Sequence, residues 1–283
     1  MILLPIYEGL VGKVAVITGG SGVLCQAMAK ELARQGMKIA ILNRNVENGE
    51  KVAEEIIGHG GIAIAVGCDV LKEKHVKEAY KIVKKELGEC DLLINGAGGN
   101  HPDAITDKEK FEAGDIDDNT VKSFFDLQLN GFDHVFQLNL VGSLIPTQVF
   151  AQNMATRGGN VINISSMAAP APMTKVPAYS AAKAGIDNLT KWLSVHFAEV
   201  GIRVNAIAPG FFLTNQNRNL LLNEDGSLSN RAEKIINHTP QRRFGNPEDL
   251  LGTLLWLADD NTSGFVTGIT VPVDGGFMAY SGV

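Results

Sequence analysis

Seven short apolar runs, each followed by a stretch of helical period, constrain this chain more than any other feature. The runs are Val14 to Thr18, Lys38 to Leu42, Gly61 to Val66, Asp91 to Asn95, Gly159 to Ile164, Arg203 to Ala208 and Gly268 to Val273. Between them lie helical patterns. Leu24, Ala27, Met28 and Leu32 form one stripe that Gly36 closes, and further patterns cover Val52 to Ile57, Val76 to Leu87, Asp133 to Ala155, Tyr179 to Val200 and Pro247 to Asp259. Strands that are apolar on both faces and alternate with helices predict a parallel sheet covered on each side. Right-handed crossovers make it doubly wound. The expected fold class is therefore α/β, a Rossmann-type sheet of about seven strands.

No Pro/Ser-rich linker, repeat or low-complexity tract divides the 283 residues, so a single domain spanning 1–283 is expected. Two stretches break the rhythm. Residues 98–131 form a long acidic insertion, and 211–243 are polar and Asn-rich. Connections of that length in a compact domain are commonly lids or binding loops.

The remaining classes are excluded by composition. The net charge of −6 lacks the basic face of a nucleic-acid binder. No run reaches about 18 apolar residues, so no membrane span is expected. Met1 to Leu10 has neither a basic region nor a small-residue cleavage site and does not read as a signal peptide. Cys25, Cys68 and Cys90 are too few and too scattered for a disulfide framework or a zinc site, which points to a reducing cytoplasm. His59, His75, His134, His196 and His238 have no metal-like spacing and receive no role. Trp192 and Trp256 sit on helical stripes and read as packing residues.

Glycine is over-represented, at 31 residues, and one cluster stands where it matters. Thr18-Gly-Gly-Ser-Gly22 follows the first strand and opens the first helix. Backbone N–H groups at such a helix start can face a pyrophosphate, with Gly19, Ser21, Gly22, Val23 and Leu24 as the candidate contacts. A dinucleotide fingerprint would also place glycine near Cys25, and this chain does not. Asn43 ends the second strand twenty-one residues after Gly22, where an acidic side chain would take the ribose hydroxyls of NAD. Here the residue is neutral and Arg44 follows, which leans toward the 2′-phosphate of NADP.

Tyr179 and Lys183 are four residues apart at a helix start and share a face. An ammonium beside a phenol favours the phenolate and brings it toward a useful pKa. Ser166 closes the fifth strand, at the sheet edge where ligands of such folds bind. A Tyr-x-x-x-Lys pair alone is a weak signal; joined to Ser166 and the glycine turn it is a strong one.

Taken together these motifs closely resemble the short-chain dehydrogenase/reductase family over nearly the whole chain. The glycine turn looks like the family's cofactor turn without its last glycine. Asp69, followed by Val70, looks like the aspartate near the adenine. Asn95-Gly96-Ala97-Gly98 resembles the Asn-Asn-Ala-Gly element with Gly96 in place of the second Asn. Asn139 resembles the asparagine of a catalytic tetrad whose other members match Ser166, Tyr179 and Lys183. Pro209-Gly210, with Phe212 after it, resembles the turn beside the nicotinamide. The resemblance implies hydride transfer between NAD(P)H and a carbonyl carbon. In it Tyr179 gives or takes the proton, and Lys183 holds the ribose and favours the phenolate. Ser166 orients the substrate oxygen, and Asn139 holds a relay water. It also implies a homo-oligomer, a dimer or tetramer, to which the apolar face Trp192 to Phe197 and the Val273 to Phe277 segment could contribute.

Gly98-Gly-Asn-His-Pro102 follows the cofactor element, so Asn100 and His101 could hydrogen-bond a polyol; a capped turn is the structural alternative. With the long acidic insertion, this segment resembles the D-mannonate oxidoreductase (fructuronate reductase) subgroup, with gluconate 5-dehydrogenases as close relatives. A sugar acid needs a cation, and Lys175, Arg218, Arg242 and Arg243 are the candidates, with Lys175 foremost. Two rivals remain: a reductase of acyl-thioester or small cyclic ketones, and a dinucleotide sensor without catalysis. A sensor would not need all four of Asn139, Ser166, Tyr179 and Lys183.

Overall fold

The computed structural model describes residues 4–214 and 218–282; part of the 211–243 stretch, residues 215–217, lies outside them. Seven strands form one parallel sheet: β1 (Val14–Thr18), β2 (Lys38–Asn43), β3 (Ile62–Gly67), β4 (Leu92–Asn95), β5 (Gly159–Ile164), β6 (Ile202–Pro209) and β7 (Thr270–Val273). Their order is β3-β2-β1-β4-β5-β6-β7, so the winding direction reverses between β1 and β4. A crevice opens at such a reversal, beyond the carboxyl ends of the strands.

Side-chain alternation along the strands divides two cores. Ala15, Ile17, Ile39 and Ile41 face one layer with Met28 and Leu32 of α1 (Val23–Arg34). That layer also contains Ile56 of α2 (Val46–Gly58). Val16, Ala40, Leu42 and Leu93 face the other, with Val76 and Val83 of α3 (Glu73–Glu86). Every residue of β1 and β6 is buried, as a strand covered on both faces requires.

Three departures from the sequence reading have local causes. Helix α2 begins at Val46 rather than Val52, because the Asn45 side chain caps it by accepting from the Glu47 N–H at 3.0 Å. The single helix expected over 133–155 is three pieces: α4 (Leu129–Phe136), a π-turn over Gln137–Val141, and α5 (Gly142–Met154). Side chains take up carbonyls around the widened turn. Asn139 Nδ2 donates to Val135 O at 2.8 Å, Ser143 Oγ to Asn139 O at 3.1 Å and Thr147 Oγ1 to Ser143 O at 2.8 Å. The third departure is at Trp192, which is not a core residue. It lies on the outer face of α6 (Pro177–His196), 57% exposed and stacked on His196. Trp256 does pack against the core, on α9 (Leu251–Ala258).

The long connection from β4 to α4 holds only three 3-10 turns, Pro102–Ala104, Ala113–Ile116 and Phe124–Asp126. It is stitched to its surroundings. The Thr106 N–H donates to Lys175 O at 3.0 Å, and Glu109 pairs with Arg231 and Lys234 at 3.1 and 3.2 Å. Both cations lie on α8 (Asn230–His238), which follows the short α7 (Arg218–Leu221).

Candidate active site

The glycine turn after β1 leaves the start of α1 open. Gly22 caps the helix without a side chain, and no acidic residue stands in its first turn. The first N–H groups of such a helix have no intrahelical acceptor and favour an anion. Gly19 has φ +62°, and a Cβ there would come within 3.0 Å of the Ala97 backbone. The turn therefore needs glycine for its conformation as well as for space.

A cleft of about 560 Å³ runs from this turn along the sheet edge. Gly19, Asn43, Arg44, Asp69, Val70 and Ala97 are among its walls, and Gly98, Gly99 and Asn100 line it further on. Its size is within the range of small-molecule sites. A dinucleotide fits these residues: the turn offers N–H groups to its phosphates, and Asp69, Val70 and Arg44 stand around the far end. The Asn43 side chain, however, is turned toward the turn itself. Its Oδ1 accepts from Ser21 N at 3.0 Å and its Nδ2 donates to Ser21 Oγ at 2.8 Å.

Thr18 joins the turn to the Asn95-Gly-Ala-Gly98 element, because its Oγ1 accepts from the N–H groups of Gly96 (3.1 Å) and Ala97 (3.2 Å). Sequence reasoning quoted Thr18 without giving it this task. Asn95 itself is not among the walls of the cleft. Buried to 2% exposure, its Nδ2 donates to Thr147 Oγ1 and Asn163 Oδ1 and ties the ends of β4 and β5 together. The two departures from the family motifs meet here. A Cβ on Gly96 would lie 2.3 Å from Cys25 Sγ and 2.8 Å from Thr18 O. The cysteine that replaces a glycine in α1 occupies the room a side chain at position 96 would need.

Pro209 ends β6, and Gly210 donates its N–H to Val273 O at 2.9 Å. The Phe212 side chain is buried beneath Gly245, where a Cβ would lie 2.5 Å from the ring. Its ring is thus a packing group.

Behind Gly98, in the wall of the cleft, four polar groups gather. A Cβ on Gly98 would meet Asn139 Oδ1 at 2.8 Å and Lys183 Nζ at 3.4 Å. The π-turn presents Asn139, fully buried, to the next residue: Oδ1 accepts from Gly99 N at 3.2 Å and Nδ2 donates to Gly99 O at 2.8 Å. Pro177 starts α6 two residues before Tyr179, in the first turn, where a fixed φ is tolerated. Tyr179 and Lys183 then share a face, with Nζ 5.6 Å from the ring centroid. Nζ also donates to Ile164 O at 2.7 Å. Ser166, two residues further, accepts from Ala168 N at 3.1 Å and hydrogen-bonds Tyr179.

Burial raises the Tyr179 phenol above its usual value, and the Ser166 hydrogen bond opposes the rise. The expected lowering by Lys183 is not found: in this dry setting burial of the phenolate outweighs its neighbours. The phenol is therefore protonated at neutral pH, as a proton donor to a carbonyl must be. Burial also lowers Lys183 to about 8. The unfolded chain, near pH 10.4 for lysine, then binds more protons than the folded one between about 8 and 10.4, and stability rises with pH there. Lys183→Met removes this dependence. In ligand-free protein unfolded by urea, wild type should gain roughly 3 kcal/mol on the variant between pH 7 and pH 10.5. An unchanged difference would show that Lys183 is not held below its ordinary pKa.

The polar segment at 100–102 is a capped turn. Asn100 Oδ1 accepts from His101 N at 3.0 Å, and His101 Nδ1 accepts from Asp103 N at 3.2 Å. Asn100 nevertheless lines the cleft. So does His134, which packs against His101 with ring centroids 5.0 Å apart. Sequence reasoning gave His134 no role; its place five residues before Asn139 on the expected helix was the available signal. Of the four cation candidates, Arg242 is held by Asn237 and Arg243 by Asp249. Arg218 is exposed on α7. Lys175 has φ 74°, its carbonyl is pinned by Thr106, and no ion pair among the described residues holds it. No group of three or more His, Cys, Asp or Glu among the described residues could hold a metal ion.

A family model for short chain dehydrogenases matches residues 13–225. The chain belongs to the short-chain dehydrogenase family. Over 99% of its length it is 60% identical to an uncharacterized oxidoreductase, UxuB, of Bacillus subtilis, all of which is covered. A solved Haemophilus influenzae structure with bound NAD, provisionally named a D-mannonate oxidoreductase, superposes with a TM-score of 0.92. The two chains are 52% identical, over 97% of this chain and 98% of that one. The 2-dehydro-3-deoxy-D-gluconate 5-dehydrogenase of Formosa agariphila is 33% identical over 96% of this chain and 94% of its own. This short-chain dehydrogenase is thus an oxidoreductase with a seven-stranded Rossmann-like sheet. No helix among its described residues is long and apolar enough to cross a membrane.

Proposed function

We propose that this dehydrogenase interconverts a keto sugar acid and its hydroxy acid, D-fructuronate and D-mannonate foremost. The reading rests on one observation: Ser166, Tyr179 and Lys183 converge, with Lys183 set behind Gly98 in the wall of a cleft whose residues fit a dinucleotide. The nicotinamide, when bound, supplies or accepts the hydride. Tyr179 donates the proton to the carbonyl oxygen, and Ser166 holds that oxygen and stabilises its developing charge. Lys183 keeps a positive charge beneath the phenol and offers a donor toward the ribose. Asn139 fixes the Gly98–Gly99 backbone beside Lys183. Both its amide hydrogens are spent on protein carbonyls, so its part is mainly positional.

The likeness to the NAD-bound Haemophilus protein supports the substrate class and favours NAD. The lean toward NADP from Asn43 and Arg44 gains no support, since Asn43 is engaged by Ser21. Asn100 and His101 offer polar contacts to hydroxyl groups, and Lys175 is the cation for the carboxylate. The 98–131 insertion and the 211–243 lid would close over the substrate within one domain. The Formosa relative supports a second reading, oxidation at C5 of a related sugar acid. Three buried thiols suit a reducing cytoplasm. The exposed Trp192, Val195 and Phe265 support a homo-oligomer.

A panel of D-fructuronate, 5-keto sugar acids, uncharged ketoses and 3-oxoacyl thioesters, each with NADH and NADPH, tests this. D-fructuronate with NADH should give the highest kcat/KM, and Lys175→Met should lower it about tenfold or more, the loss of a charge-assisted contact. A preference for an uncharged or thioester ketone would overturn the substrate assignment.

A further inference from the structure

Ser166 and Tyr179 stand on different elements, so their distance depends on how α6 docks against the end of β5. Two side chains of α6 fasten that docking. Lys183 Nζ binds the carbonyl of Ile164. One turn later, Asp187 Oδ1 accepts the Ser165 hydroxyl at 2.5 Å and the Thr270 hydroxyl at 3.1 Å. Consecutive residues of the strand end are thereby held by consecutive turns of one helix, and β7 is tied in through Thr270. The next residue along the strand end is Ser166.

We infer that Asp187 is a positioning residue for this site: its carboxylate locks the β5 end against α6, setting Ser166 opposite Tyr179, and balances the buried charge of Lys183. The inference rests on the catalytic reading of Ser166, Tyr179 and Lys183, but not on the identity of the substrate. The titratable groups that face Lys183 are the Cys25 thiol from α1 and, on α6 itself, Asp187 and Tyr179. Gly98 and Asn139, on its other side, carry no titratable group. Burial raises Cys25 to about 12, so it is neutral through the working range. Asp187 is then the anion that favours the ammonium form.

Two variants separate the mechanical from the electrostatic part. Asp187→Asn keeps an acceptor for Ser165 and loses the charge. Asp187→Ala loses both. The first readout needs no turnover: NMR titration of Lys183 with ¹³C-labelled lysine side chains, assigned through Lys183→Met. Its midpoint should fall by about half a pH unit or more in Asp187→Asn, the direction expected when an opposite charge is removed. The alkaline limb of kcat for carbonyl reduction should move down with it, while kcat below pH 7 stays within about threefold, since the hydrogen bond is kept. Asp187→Ala should lose about tenfold in kcat below pH 7 as well, and most of that loss should vanish in a Ser166→Ala background, as coupled residues require.

A Lys183 midpoint unmoved in Asp187→Asn would overturn the electrostatic part. Additive effects of Asp187→Ala and Ser166→Ala would overturn the positional part and leave Asp187 a general stabiliser. Failure of D-fructuronate as a substrate rejects only the proposed substrate. Turnover retained in Tyr179→Phe rejects the site itself.

Discussion

Tyr179→Phe should lower kcat by about a thousandfold while leaving the protein folded and able to bind NADH. The size follows from what is removed: general acid–base groups contribute roughly 10²- to 10⁴-fold. In the proposed mechanism the phenol, beside Ser166, is the proton donor. The aromatic ring, which Lys183 Nζ approaches to 5.6 Å, remains in the variant. The lost Ser166 hydrogen bond costs about 1 kcal/mol of stability, too little to unfold a chain of this size. Steady-state kinetics with the best substrate, NADH fluorescence titration and thermal melting measure the three quantities. Turnover within tenfold of wild type would mean that another group supplies the proton.

Gly96→Ala should be the second severe change, and it acts through packing. Its Cβ would lie 2.3 Å from Cys25 Sγ and 2.8 Å from Thr18 O. One neighbour is a buried side chain and the other is backbone of β1, so relief requires movement of the glycine turn. Overpacking of this kind costs about 1–3 kcal/mol. For a chain of this length that corresponds to a fall of at most about 2 °C in Tm per kcal/mol. NADH affinity should fall about tenfold or more, because Thr18 Oγ1 aligns the N–H groups of Gly96 and Ala97, and Ala97 lines the cleft. Removing the thiol should help. In Cys25→Ala/Gly96→Ala the Sγ conflict is gone and the Thr18 carbonyl conflict persists, so melting temperature and affinity should recover in part. The cycle of single and double variants should show favourable coupling of about 0.5–3 kcal/mol. A double variant no better than Gly96→Ala would mean that Cys25 is not what requires glycine at position 96.

This pair also marks the limit of the linear sequence. Cys25 and Gly96 each read as a departure from a family motif. Only the contact between α1 and the β4 turn makes them one exchange, since seventy-one residues of chain separate them. The same holds for Lys183 and Tyr179. Their spacing placed them on one helical face, but the sign of the tyrosine shift depends on burial, which spacing does not contain. Trp192 failed for a related reason. A stripe of helical period marks a face without saying whether protein or solvent covers it.

Period and punctuation were enough for the sheet. Apolar runs of β-branched residues ending at glycine, asparagine or proline placed all seven strands to within a residue or two, because a strand buried on both faces tolerates little else. The glycine turn, Ser166 and the Tyr179–Lys183 pair were legible because each is a local arrangement with its own backbone requirement. Local pattern could not supply the pairing of Asn95 and Asn43 with protein partners, or the Ser165–Asp187 link. Those follow from which polar atoms meet across elements once the sheet has closed. A side chain with several possible partners is assigned by distance, and distance exists only in the folded chain.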